Sequence, residues 1–324
     1  MRMRGHAAND FSYDVRYEPY IARLGLLPFV LQFKRNPPPV NHGALTALTG
    51  RWRHETHSFH LPFGEMTMTL EDMAMISGLP LNDNAVTSHV SVFNWRERVG
   101  LLIGVEPSPS LEGKPDPPKV KHSWLKEVRG GPCPVDADDI VMQQYARAYL
   151  WYILTKVVFT DATSNSALWM YLERLRNWDV PFSWGSAALS YLYRQLDPAS
   201  MRTKDSSSLC GFLWSLFVWM WERLPVGRPM LKNPDHPNPN PHEGLHHEDP
   251  YHRLTVSYHW DRVSAYIGSS HLRYKCYVNK LDTLTTEHVP TSQFLVLYVF
   301  LTAILERVPN ISARPMVVGF LAAL

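Results

Sequence analysis

Residues 51–81 read RWRHETHSFHLPFGEMTMTLEDMAMISGLPL, and this stretch decides the fold. Polar and apolar side chains alternate over residues 56–61 and again over residues 66–69, which is the period of a β-strand. Between the two runs, a proline and a glycine favour the backbone conformations of a turn. The pattern therefore predicts a small β-hairpin that is closed by residues 62–65.

A helix is predicted directly after the hairpin. Thr69 is a good N-cap, and Asp72 follows three residues later, where its carboxylate can meet the first-turn amides. Gly78 is a natural C-terminal stop, because glycine readily adopts the left-handed conformation that ends many helices. We expect the buried stripe of this helix to consist of Leu70, Met73 and Ile76.

Two histidines of the hairpin carry the chemistry of this stretch. Alternation places His57 and His60 on opposite faces, which argues against one shared metal ion. We interpret His60 and Glu65 as a hydrogen-bonded pair across the turn that holds the hairpin in place. The alternative is a reactive carboxylate and imidazole pair, with Glu55 as a further acid. Trp52 is interpreted as an aromatic anchor in the core.

The rest of the chain is mainly α-helical in pattern, so the expected fold is a compact multi-helix domain with a small β-hairpin. Residues 139–159, 184–196 and 209–224 carry apolar side chains on most sides, which is typical of buried helices. Residues 274–281 fit a strand or a helix, and five prolines make residues 105–119 an exposed loop. The candidates for exposed aromatic contact residues are Trp95, Trp124 and Trp178.

Composition indicates a globular intracellular protein. Apolar residues make up 45% and charged residues 19% of the 324 residues, whereas a disordered chain would be poorer in the first and richer in the second. Lysine and arginine number 32 against 30 acidic residues, which leaves no footprint for nucleic acid. The 3 cysteines are far apart and favour reduced thiols. No apolar run reaches the ~20 residues of a membrane span.

Residues 51–81 resemble the core motif of the plant mobile domain family, also labelled aminotransferase-like plant mobile domain. That motif has a Trp, then Glu-Thr, Phe-His, Gly-Glu, Leu-x-Asp and a closing Gly-Leu. The matching positions are Trp52, Glu55, Thr56, Phe59, His60, Gly64, Glu65, Leu70, Asp72, Gly78 and Leu79. Residues 145–154, 184–196 and 221–229 resemble further family blocks, and Trp184 with Gly185 opens the second of these.

The resemblance implies a function that composition and periodicity alone do not indicate. It implies a non-catalytic nuclear interaction protein of the meristem-maintenance type, acting in transposon silencing and genome stability. Its partners would be proteins, among them a protein phosphatase 7-like protein, with chromatin or nucleic acid reached indirectly and no membrane. The motif residues would then be structural, and the expected location is the nucleus, with the cytosol as the alternative.

The resemblance also divides the chain. The expected parts are an N-terminal tail at residues 1–19, the plant mobile domain core at 20–224, a His/Pro-rich mobile loop at 225–255 and a C-terminal helical part at 256–324. Helices are expected in this last part at residues 256–267 and 294–305. After residue 289 the sequence departs from the family pattern, so the C-terminal part is interpreted as diverged or truncated.

The aminotransferase-like label predicts pyridoxal phosphate, but the residues do not support it. A transaminase needs a lysine for the Schiff base, an acid facing the pyridine nitrogen and a glycine- and serine-rich phosphate cup on an α/β scaffold. These features cannot be picked out of the sequence, so we expect no enzyme, no catalytic residue and no cofactor.

One further motif suggests a metal hydrolase. Residues 242–246 match H-E-x-x-H through His242 and His246, and His252 has the spacing of a third ligand. This chemistry needs both histidines on one helix, and the prolines on either side prevent such a helix. We therefore interpret the segment as a His-rich surface loop. A zinc hydrolase and a transposon-derived nucleic-acid-binding module remain as alternatives.

Overall fold

The computed structural model describes residues 2–3, 10–33, 41–110, 115–161, 163, 165–201, 208–224, 226–228, 255–257 and 270–288. Several predictions from the sequence lie outside these residues. They are most of the helix expected at residues 256–267, the helix expected at 294–305, and the candidate metal ligands His242, His246 and His252.

The described part of the chain is mainly α-helical, as predicted. The helices are α1 (Glu18–Arg23), α2 (Leu27–Phe33), α3 (His42–Thr49), α4 (Leu70–Ser77), α5 (Trp95–Ile103), α6 (His122–Arg129), α7 (Asp139–Ile153), α8 (Trp169–Arg174), α9 (Trp184–Ser200), α10 (Leu213–Arg223) and α11 (Ser270–Asp282). The strands are β1 (Arg2–Met3), β2 (Trp52–Arg53), β3 (Ser58–Leu61), β4 (Gly64–Met66), β5 (Lys119–Lys121), β6 (Ser166–Leu168) and β7 (Ser208–Leu209).

The predicted hairpin is present and forms part of a three-stranded antiparallel sheet, β2-β3-β4, which we call the ribbon. In β3 and β4, His60 pairs with Glu65 and Leu61 with Gly64, so the turn is shorter than predicted and consists of residues 62 and 63. The sequence pattern did not predict β2, because a strand of two residues has no measurable period. The first strand of the hairpin begins at Ser58 rather than at residue 56, because His57 has a left-handed φ of 50° and lies outside the strand.

The helix after the ribbon has the predicted ends. The Thr69 hydroxyl accepts from the Asp72 amide while the Asp72 carboxylate accepts from the Thr69 amide, and Gly78 ends α4 with a φ of 69°. Met73 and Ile76 are buried, but Leu70 is 46% exposed, so the predicted stripe is wrong at its first position. Leu70, the first residue of α4, lies at the surface, whereas Asp72 and Met73 in the same turn are already buried.

The core is built around tryptophan-rich helices. All residues of α10 from Leu213 to Trp221 are buried, and α7 runs on into a short π-helix, Leu154–Val158. Two of the tryptophans considered for exposure, Trp95 and Trp178, are buried, and Trp124 is half-buried. The aromatic residues therefore serve mainly the core. Phe11 belongs to the same buried cluster although it lies in the expected tail.

The segment at residues 270–282 is a helix rather than a strand, and it packs on α3. Asn41 joins the two helices, because its side-chain oxygen accepts from the Ala44 amide at the start of α3 while its side-chain nitrogen donates to the Tyr277 hydroxyl at 2.6 Å. Gly43 allows the close approach, since a Cβ atom there would lie 3.3 Å from the backbone nitrogen of Tyr274. Arg51 forms an ion pair with Asp282 nearby.

Candidate functional site

One motif residue, Asp72, has a buried carboxylate that contacts distant parts of the chain. This residue is 4% exposed, and one of its oxygens accepts from the Thr69 amide at 2.9 Å and the Trp219 indole at 3.1 Å. The other accepts from Arg223, whose Nε lies at 2.8 Å and whose terminal nitrogen is also bound. Removing a carboxylate from water is costly unless it is paired and hydrogen-bonded, and both conditions hold here. Asp72 therefore ties the start of α4 to the end of α10.

A second polar contact fixes the ribbon to α9. Trp52 is 1% exposed, and its indole nitrogen donates to a carboxylate oxygen of Asp197 at 2.8 Å. The Trp52 ring also packs edge-on against Phe59 and Tyr193, with ring centroids 4.9 and 5.1 Å apart. The Tyr193 hydroxyl donates to the Met68 carbonyl at the end of the ribbon. Trp52 is thus the aromatic anchor that the sequence predicts.

His57, just before β3, and His60, within β3, belong to separate pairs. The Nε2 atom of His57 lies 3.4 Å from Asp197, and its ring stacks on Tyr193. The Nε2 atom of His60 lies 3.0 Å from a carboxylate oxygen of Glu65, which confirms the predicted contact across the turn. Among the residues that the structure describes, no group of three or more His, Cys, Asp or Glu side chains is placed to hold a metal ion.

Glu65 is the more heavily engaged partner of its pair. The Ser58 hydroxyl donates to its second carboxylate oxygen at 2.6 Å. This hydrogen bond, with smaller contributions from Thr56 and His60, lowers the pKa of Glu65 below the ordinary value of 4.5. Hydrogen bonds to a charged form favour that form, so Glu65 is ionised at neutral pH and is suited to hold the turn rather than to donate a proton.

The closing Gly-Leu of the motif packs against the start of α9. The Gly185 amide donates to the Pro80 carbonyl at 2.8 Å. A Cβ atom at Gly185 would lie 2.7 Å from a methyl carbon of Leu81, and one at Gly78 would lie 2.7 Å from Pro28. Trp184 is fully buried beside this contact. The structure therefore brings together two blocks that are about a hundred residues apart in the sequence.

The motif positions fall into a buried set and an exposed set. The buried set is Trp52, Phe59, Asp72, Leu79, Trp184 and Gly185, and Gly78 lies half-buried against Pro28. The other set, which we call the ribbon surface, is exposed or half-buried and consists of Glu55, Thr56, His60, Gly64, Glu65 and Leu70. Neither set lines the groove of about 610 Å³ that is formed by residues 92–97, 106, 109, 116 and 118.

The sequence did not reveal the partners of the buried set. Asp197, Tyr193, Trp219 and Arg223 are more than 120 residues from the atoms they contact, and no short-range pattern connects them. The available signal was Arg223 within the block at residues 221–229, where charged side chains follow a mostly apolar helix.

No helix in the described portion is long and apolar enough to cross a membrane.

Comparison with known proteins agrees with the resemblance of residues 51–81 to the plant mobile domain family. The profile described as plant mobile domain matches residues 31–296. The chain is 38% identical over 193 residues to a serine/threonine-protein phosphatase 7 long form homolog of Arabidopsis thaliana, a match that covers 59% of this chain and 14% of that protein.

Two further relatives come from the same plant. Protein MAIN-LIKE 1 is 37% identical over 199 residues, covering 60% of this chain and 38% of the relative. Protein MAINTENANCE OF MERISTEMS is 34% identical over 193 residues, covering 59% of this chain and 39% of the relative. The chain thus spans less than half the length of each of these proteins. No solved structure matches it.

Proposed function

Because this chain belongs to the plant mobile domain family, we propose that it is a non-catalytic nuclear interaction protein. It serves meristem maintenance, transposon silencing and genome stability by binding protein partners. The meristem role follows the name of a relative with 34% identity. The roles in silencing and genome stability, and the nuclear location, follow from the family resemblance of the motif.

The observation that carries this proposal is how the reactive groups of the motif are used. Asp72 joins α4 to Arg223 and Trp219 of α10, and Asp197 joins α9 to Trp52 of the ribbon, so both carboxylates are engaged in structural contacts. The motif positions outside the core form the ribbon surface, which is exposed or half-buried. Exposed side chains that belong to a family pattern and have no part in the core are suited to contact a partner.

The proposed partner is a protein phosphatase 7-like protein. A region similar to this chain occupies 14% of a phosphatase 7 long form homolog. A domain that shares a polypeptide with a phosphatase in one protein can bind a separate phosphatase in another. In this proposal chromatin is reached through the partners, which agrees with the nearly balanced charge of 32 basic and 30 acidic residues.

The test uses the full chain, tagged and purified from plant nuclei after nuclease treatment. We expect a phosphatase 7-like protein to be recovered with it and identified by mass spectrometry. Leu70→Asp should reduce recovery at least fivefold, because it places a carboxylate in a desolvated contact. The substitution suits the first turn of α4, where a negative charge is favourable.

Leu101→Asp is the matched control. Leu101 is also an exposed leucine of a helix, with 71% of its surface accessible, but it lies outside the motif. Recovery of the phosphatase should be unchanged in this variant. Equal recovery with both variants would argue against the ribbon surface, and loss of the phosphatase after nuclease treatment would favour direct nucleic-acid binding.

A further inference from the structure

A second surface, separate from the ribbon surface, is formed by residues 14–20 and 133–140. The Arg16 guanidinium donates to three successive carbonyls, those of Cys133, Pro134 and Val135, at 3.2, 3.0 and 3.1 Å. It also pairs with Asp14 at 2.7 Å. At the other end the Tyr20 hydroxyl donates to Asp139. The two segments are therefore tied together at both ends, and the loop at 133–135 is held in one conformation.

The two joined segments present apolar side chains to water. Val135 is 95% exposed, Val15 is 66% exposed and Ile140 is 68% exposed. Single exposed apolar residues are common, but three on two joined segments form a patch of the kind that marks contact sites. Because Arg16 already restrains the loop, a partner would lose little conformational entropy in ordering it.

The patch is surrounded by negative charge. The two segments contain five carboxylates, Asp14, Glu18, Asp136, Asp138 and Asp139, and one guanidinium, Arg16, which gives a net charge of −4. The whole chain has a net charge of +2, so the negative charge is concentrated here. Hydrogen bonds from Arg16 and from Tyr20 lower the pKa values of Asp14 and Asp139 respectively, which keeps both ionised at neutral pH.

We propose that the surface formed by residues 14–20 and 133–140 binds a protein segment that is rich in lysine and arginine and covers Val135 with an apolar side chain. Charge complementarity selects such a segment and steers its approach. The same charge repels the phosphates of nucleic acid. This inference concerns a different surface from the ribbon and does not require that the partner be a phosphatase.

The test is a fluorescence anisotropy titration of the full chain with a labelled nine-residue peptide of alternating lysine and leucine. We expect saturable binding that weakens as salt is added, because exposed charges are screened. A glutamate and leucine peptide should not bind. Val135→Ser and Asp136→Lys should each weaken binding at least fivefold. Both side chains are exposed, so thermal unfolding should show that the variants remain folded.

Two matched controls carry the same substitutions elsewhere. Leu101→Ser and Glu97→Lys change exposed residues of α5, and binding should stay within twofold of the unmodified chain. The proposal is overturned if Val135→Ser and Asp136→Lys bind as tightly as the unmodified chain, or if the controls weaken binding equally. It is also overturned if sedimentation shows a dimer of the unmodified chain that Val135→Ser or Asp136→Lys dissociates.

Discussion

At the scale of single residues, the chain uses acidic side chains to join distant segments. Asp72 contacts the ribbon exit and α10, and Asp197 contacts Trp52 and His57. The free energy gained by forming such a contact is much smaller than the free energy lost when one partner is removed. A buried pair adds little net stability, but breaking it by removing one partner leaves an uncompensated buried charge. Variants at these positions therefore report on folding.

Asp72→Asn should destabilise the protein by about 3 kcal/mol. The substitution keeps the size of the side chain but removes the negative charge that balances Arg223. It also removes one of the two carboxylate oxygens that accept hydrogen bonds from Arg223, Trp219 and Thr69. Urea unfolding followed by tryptophan fluorescence measures the change. Glu71→Gln, at the exposed neighbouring position, should stay within about 0.5 kcal/mol of the unmodified protein. A similar small effect for Asp72→Asn would contradict its structural role.

Glu65 should make stability depend on pH in the acid range. Its pKa is lowered in the folded state, chiefly by the Ser58 hydroxyl, so its contribution is present above the ordinary value of 4.5 and is lost as the pH falls through the folded-state value. The stability difference between the unmodified protein and Glu65→Gln should therefore shrink between about pH 5 and pH 2. Urea unfolding across this range measures it, and a difference that grows towards acid pH would contradict the expectation.

Local chemistry was readable from the sequence at this scale, and distant chemistry was not. Thr69 and Asp72 form the predicted capping interaction because both partners lie within one helical turn. His60 and Glu65 were predictable because a tight turn brings them opposite each other. The contact of Asp72 with Arg223 spans 151 residues and depends on how α4 and α10 pack, which no short pattern encodes.

At the scale of elements, close packing of α9 on the end of the motif depends on Gly185. Gly185→Ala should destabilise the protein by about 1–3 kcal/mol, because the new methyl would lie 2.7 Å from Leu81. Gly131→Ala is the control, since a Cβ atom there meets nothing within 4 Å and should leave stability unchanged or slightly higher. Thermal unfolding compares the two, and equal effects would show that space at Gly185 is not limiting.

Elements with a strong period were predictable, and their edges were less so. The helices at residues 139–153, 184–200 and 213–223 lie where their apolar patterns predict them. Strand β2 was missed because two residues carry no period, and Leu70 was expected in the core because its spacing from Met73 fits the stripe. Spacing fixes the face of a helix on which a residue lies, but not how far along the helix its packed neighbours extend.

At the scale of the whole molecule, α11 returns from late in the sequence to pack on α3. Tyr277→Phe should loosen this contact, because it removes the acceptor of the buried Asn41 amide, at a cost of about 1–3 kcal/mol. Hydrogen exchange of α11 should then be faster by roughly tenfold for each 1.4 kcal/mol lost, with exchange in α7 and α10 unchanged.

Tyr274→Phe serves as the control for that measurement. It makes the same change one helical turn earlier, at a side chain that is 38% exposed. Exchange of α11 should be unaffected. If both variants behave alike, the hydrogen bond between Asn41 and Tyr277 does not hold α11 in place.

The contact between Asp72 and Arg223 also limits how this sequence can drift over time. Loss of Arg223 strands the buried carboxylate of Asp72, and loss of Asp72 removes the acceptor of Arg223, so the two positions are expected to change together among related sequences or not at all. Trp219, which shares the carboxylate, should join them as a third linked position. Joint variation at these three sites would let a distant relative be recognised even where the rest of the ribbon has lost its pattern.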